Sequence, residues 1–159
     1  MKHLTILILT LIILNSCVAA YKIQTKSFRD FDASSTVNKA FVINKDSLLE
    51  EYKILKHSKL FEFTNDSTNA IKIKLHQLKR LPQPSCGNLM TGSMLTLGQL
   101  PARFPETYIY RFDLIENENV AKKEIQLKID QHLWFWNIFS NKKNFNKQAG
   151  IVLRGSLAK

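Results

Sequence analysis

Two cysteines and four histidines are the side chains of this 159-residue sequence best suited to nucleophilic or metal chemistry. Cys86, in Pro84-Ser85-Cys86-Gly87, could serve as a nucleophile if His76 or His132 took its proton, since the thiolate is the reactive form. Neither histidine stands in a recognisable catalytic motif. A loop or buried thiol is the plainer expectation, with an intermolecular disulfide as the alternative in an oxidising compartment. His57, His76, His132 and Cys86 are also the metal-ligand candidates, but they are widely separated and lack paired spacing such as His-x-x-x-His. Gly87, Gly92 and Gly98 match no phosphate-cradling loop, and no pair of carboxylates stands out for glycoside cleavage. The expectation is a non-catalytic protein without metal or cofactor.

The chain that must position these residues is long enough for one domain and its own core. At 45% apolar residues it is too hydrophobic for a disordered tail, and two cysteines are too few for a disulfide-stapled mini-protein. Its N-terminus is an address. Lys2 and His3 precede an apolar run from Leu4 to Leu14. Eleven helical residues rise about 16 Å, roughly half of what a spanning helix needs. A charged start, a short apolar stretch and small residues behind it read as a secretory signal peptide.

Leu14-Asn15-Ser16-Cys17 resembles the lipobox of bacterial lipoprotein precursors: an aliphatic residue, a variable one, a small one, then cysteine. Asn15 departs mildly from that pattern, where small or hydroxylated residues are commoner. The resemblance covers the first 17 residues. It implies cleavage after Ser16, acyl groups on Cys17 as the membrane anchor and, because Val18 rather than aspartate follows, an outer-membrane address facing the periplasm. Cleavage after Ala20, giving a soluble exported or periplasmic protein, is the competing expectation, and a retained anchor or core helix is the third.

The organisation expected from this is a signal peptide over residues 1–16, a lipidated cysteine and tether over 17–37, and a globular α+β domain over 38–159. Tyr21 to Phe28 alternates weakly, as a first strand or an extended tether would. Asp32 to Thr36 is a polar loop, and Ala40 to Ile43 a short strand. Ser47 and Glu50 form a capping box ahead of Leu48, Leu49, Tyr52 and Leu55 at helical spacing, and that helix should end near Ser58. Leu60 to Thr64 and Ile71 to Leu78 look like the arms of a hairpin, with Lys72, Lys74 and His76 on its wet face and Pro82 and Pro84 ending it. The clearest hairpin pairs Tyr108–Leu114 with Ile125–Ile129 around a turn at Glu116–Asn119, with Tyr108, Tyr110 and Phe112 inward. An antiparallel sheet with one or two packed helices follows. Thr96-Leu97-Gly98-Gln99-Leu100-Pro101 ahead of that aromatic strand is similar to a Thr-Leu-Gly-x-x-Pro segment of small uncharacterised proteobacterial lipoproteins. It implies the same address and no chemistry.

The formal charge is +10, and loss of residues 1–16 leaves +9. Five bases and no acid lie between Asp66 and Glu106, and again after Asp130. Lys142, Lys143 and Lys147 are the candidates for contact with an anionic lipid, a glycan or an envelope protein. A solvated basic surface explains the same charge equally well. Leu133-Trp134-Phe135-Trp136-Asn137-Ile138-Phe139 is expected in the core, with a membrane or partner contact as the alternative. Such basicity would also suit nucleic acid, but an export signal and the lack of any nucleic-acid motif argue against it. The expected function is a lipid-anchored, non-catalytic binding or structural module of the cell envelope. The alternatives are a soluble exported binder of anionic polymers and an anchored immunity or inhibitor protein.

Overall fold

A hairpin far longer than its sequence signal organises the structure. In the computed structural model, which describes residues 18–24, 38–68, 70–82, 95, 101–116, 119–141 and 144–157, β6 (Ala102–Glu116) and β7 (Asn119–Trp134) pair antiparallel from Ala102↔Leu133 to Glu116↔Asn119. Strand alternation sends Tyr108, Tyr110 and Phe112 to one face, with Leu127 and Ile125 opposite the first two. Tyr110 and Phe112 are fully buried there and Tyr108 half-buried, as expected.

The remaining strands are β1 (Val18–Ile23), β2 (Asn38–Val42), β3 (Phe61–Phe63), β4 (Ile71–Leu75) and β5 (Lys79–Leu81). Among the described residues they complete one sheet in the order β1-β7-β6-β4-β2-β3, with β5 also on β6. This sheet is mixed. β2 runs parallel to both β3 and β4, whereas the other pairs are antiparallel.

The mixed pairing corrects the hairpin expected from Leu60 to Leu78. β3 and β4 flank β2 and do not pair with each other. The cause is α1 (Leu49–Ser58), a crossover helix between β2 and β3, which returns the chain in the same direction and makes that pair parallel. Ala40 and Val42 fill the centre of the buried face. Asn44 extends the β2–β4 ladder with its side chain: Nδ2 donates to the Leu75 carbonyl and Oδ1 accepts the Leu75 N–H, both at 2.9 Å.

α1 ends near Ser58 as expected, but the capping box does not form. Leu48 is the N-cap residue and no side chain caps the helix. Glu50 instead accepts from Lys53 at 2.8 Å and from Asn146 at 2.6 Å. A second helix, α2 (Phe145–Leu157), was not signalled by any cap-and-period pattern identified in the sequence. Asn144 caps it, with Oδ1 accepting the Lys147 N–H at 3.1 Å. Both helices cover the buried face through Ile54, Leu55, Ala149, Val152 and Leu153.

β4 and β5 are one interrupted strand. From Leu75 to Lys79 there are four steps, whereas their partners Phe112 and Ile109 are three apart, so one extra residue bulges. Glu51 of α1 accepts the Leu78 N–H at 2.9 Å, while its carbonyl accepts the Tyr110 hydroxyl at 2.8 Å. A helix, a bulge and the central strand are thereby tied at one residue. At the opposite edge, Val18–Ile23 is a paired strand and not tether, in register from Val18↔Trp134 to Ile23↔Ile129.

Candidate functional site

A cavity of about 690 Å³, open to solvent, lies at the β3 edge of the sheet. Phe41, Tyr52, Phe61 and Phe63 supply its aromatic surface, and Lys45, Lys56 and Lys59 its charge. Local structure explains the combination. Tyr52, Lys56 and Lys59 follow at i, i+4 and i+7, one stripe of α1 and its cap. The Tyr52 ring meets Phe63 edge-on, with centroids 5.4 Å apart. Lys59 adopts the left-handed conformation (φ 56°), the turn that stops α1 and brings the chain back into β3. Lys45 donates to Asn65 Oδ1 at 3.1 Å.

Among the described lining residues Glu62 is the one acid, and none of the three lysines is in an ion pair. Ammonium groups around aromatic faces suit a ligand with anionic groups on a planar or sugar-like body, where charge attracts and rings supply stacking area. The three lysines stay partly hydrated, so the attraction should be screened within ~8–10 Å at ordinary salt.

Three other polar clusters act differently. Glu106 is buried, with its carboxylate bonded to Arg80 at 2.5 Å and to the Tyr108 hydroxyl. Tyr108 and Tyr21 both stack edge-on against Phe145, at 5.0 and 5.3 Å. Burial first, then the Glu106 hydrogen bond and charge, push the Tyr108 phenol well above its ordinary pKa. On the opposite face Asp130, also buried, accepts from Arg103 at 2.5 Å and Gln24 at 2.8 Å. Each buried carboxylate is thus neutralised by an arginine whose head reaches solvent, an arrangement that joins strands. His76 Nε2 lies 2.9 Å from Asp113 Oδ2, beside a hollow of about 250 Å³ lined by Arg111, Lys122, Lys123 and Glu124. The pair links the end of β4 to β6, and the lining contains no hydroxyl or thiol.

The residues singled out in the sequence are mostly elsewhere. Leu14, Asn15, Ser16, Cys17, Cys86, Lys142 and Lys143 lie outside the described residues, as does all of Thr96–Leu100. Lys147 is exposed on the first turn of α2. His57, His76 and His132 sit on α1, after β4 and on β7, and no group of three metal-binding side chains converges among the described residues. In the sequence the groove residues fall in separate elements: Tyr52 in the expected helix, Phe61 and Phe63 in the arm from Leu60 to Thr64, and Phe41 in the short strand. The signal that could have found them is Tyr52, Lys56 and Lys59 on one stripe, followed at once by Phe61 and Phe63.

Among the described residues no helix is long and apolar enough to cross a membrane. Comparison of the chain with protein-family models and with curated proteins finds no match.

Proposed function

We propose that the protein is an exported, lipid-anchored module of the cell envelope that binds anionic polymer, without turnover, in the groove between α1 and β3. The observation that carries the binding part is the convergence of Lys45, Lys56 and Lys59 on a surface of four aromatic rings. The anchor rests on Leu14-Asn15-Ser16-Cys17 behind a short apolar run, with the domain on the periplasmic side of the outer membrane. The ligand class is a phosphate- or sulfate-bearing glycan: sugar faces stack on rings, and its charges meet the lysines.

Dextran sulfate, with neutral dextran as control, tests the groove. The protein should retain dextran sulfate at low salt and lose it steeply as salt rises. Replacing Lys45, Lys56 and Lys59 together by Gln should lower affinity at least tenfold, about 1.4 kcal/mol. Equal binding by the triple variant would remove the groove from the proposal. Labelling with a fatty-acid analogue, in wild type and Cys17→Ala, tests the anchor separately.

A further inference from the structure

We infer that the aromatic turn after β7 is a membrane-docking face, with Trp136 and Phe139 seated among lipid headgroups beside the point where the chain meets the bilayer. This rests on the anchored reading above. The turn is a 3-10 helix, Phe135–Phe139, and Leu133 to Phe139 had been expected in the core. The structure exposes three of that segment's aromatic rings: Trp134 is 36%, Trp136 49% and Phe139 77% exposed. Trp136 and Phe139 stack on each other with centroids 6.4 Å apart. Their display is fixed from beneath. Asn137 is buried and donates to the His132 carbonyl at 2.7 Å, and the Ser140 N–H returns to the Asn137 carbonyl at 2.9 Å.

The choice of lipid as occupant comes from where the chain leads. Val18 pairs with Trp134, so β1 begins beside the last residue of β7. Adjacent strands are ~4.8 Å apart, and one peptide carries the chain only ~3.8 Å further, to residue 17. Behind it lies the apolar run Leu4–Leu14. Whatever holds that end at a bilayer therefore holds Trp134 and the turn there too. Indole and phenyl rings favour the headgroup–acyl boundary, and Lys142, Lys143 and Lys147, next along the chain, suit anionic headgroups. The binding groove lies at the other edge of the sheet, where β3 is five strands along from β1.

The chain's two tryptophans are both in this segment, which makes the test direct. Full chain is reconstituted into vesicles of phosphatidylethanolamine and phosphatidylglycerol, with acyl chains brominated or not, and tryptophan emission is recorded. The expected result is quenching of at least roughly twofold by brominated lipid, with emission shifted to the blue, and weaker quenching for Phe139→Ser. Vesicle-bound chain with equal emission in both lipids overturns the inference, as does chain that does not bind vesicles. Cross-linking of copies through this turn, in place of quenching, would give the face to a second copy and also overturn it. Quenching that persists in a chain lacking acyl groups at Cys17 would fail the anchor while leaving the docking face standing.

Discussion

Gly150 of α2 lies so close to His57 of α1 that a β-carbon built on it would come within 2.7 Å of the His57 carbonyl carbon and 2.8 Å of the Ile54 oxygen. The obstruction is backbone, which cannot swing aside as the end of a flexible side chain can. This crossing sets how closely the two helices pack on each other. In an open helix interior Gly→Ala stabilises by up to about 1 kcal/mol. Here Gly150→Ala should have the opposite sign and cost about 1–3 kcal/mol, measured as a lower denaturant midpoint with unchanged slope. A stabilised variant would place the helices further apart than described.

Phe112, 1% exposed, packs beside Tyr110 with centroids 6.0 Å apart and pairs across the hairpin with Lys123. Phe112→Ala should cost ~3–5 kcal/mol in denaturant titration, the range for emptying a buried aromatic site. Phe139→Ser, on the exposed turn, should change stability by no more than about 0.5 kcal/mol. A loss below about 1 kcal/mol for Phe112→Ala would put that face of the hairpin in solvent.

Alkaline pH should unfold the protein through its tyrosines. Burial raises the Tyr108 and Tyr110 phenols above their ordinary value, and for Tyr108 the neighbouring Glu106 adds to it. In the unfolded chain these phenols ionise near pH ~10, while in the folded chain they hold their protons. The folded state then binds more protons than the unfolded one, so stability is fully present below pH ~10 and falls as pH climbs beyond it. Denaturant midpoints from pH 8 to 11.5 should decline, and Tyr108→Phe should decline less steeply. Equal slopes in both proteins would mean that Tyr108 titrates freely when folded.

What the sequence could convey differed from element to element. The β6–β7 hairpin was legible because one wetted face makes apolar and polar residues alternate, as Tyr110-Arg111-Phe112 does. Its true length was not, since Ala102–Thr107 and Asp130–Trp134 carry buried acids and a proline that break the alternation. Ser47 and Glu50 had the spacing of a capping box, but Glu50 is claimed by Asn146, 96 positions away, a partner that local pattern cannot reveal. The parallel β2–β3 pair was hidden for a similar reason: β3 has three residues, too few to state a direction. The groove follows from that parallel pair. Its lysines and rings come together only when β3 lies beside β2 under the end of α1.

Under the proposed anchor at Cys17, the register that sets Val18 opposite Trp134 also limits reach. A domain fastened at residue 17 has a free link of one peptide, ~3.8 Å, where many anchored proteins have a flexible leash of tens of residues. Its radius of action is its own height. It cannot cast across the gap to a distant layer, and lengthening the span a ligand must bridge lowers the effective concentration at once. Anchored as proposed, such a molecule would search in two dimensions, sweeping the bilayer surface by lateral diffusion, and would meet only those polymers that descend to within a domain's height of it.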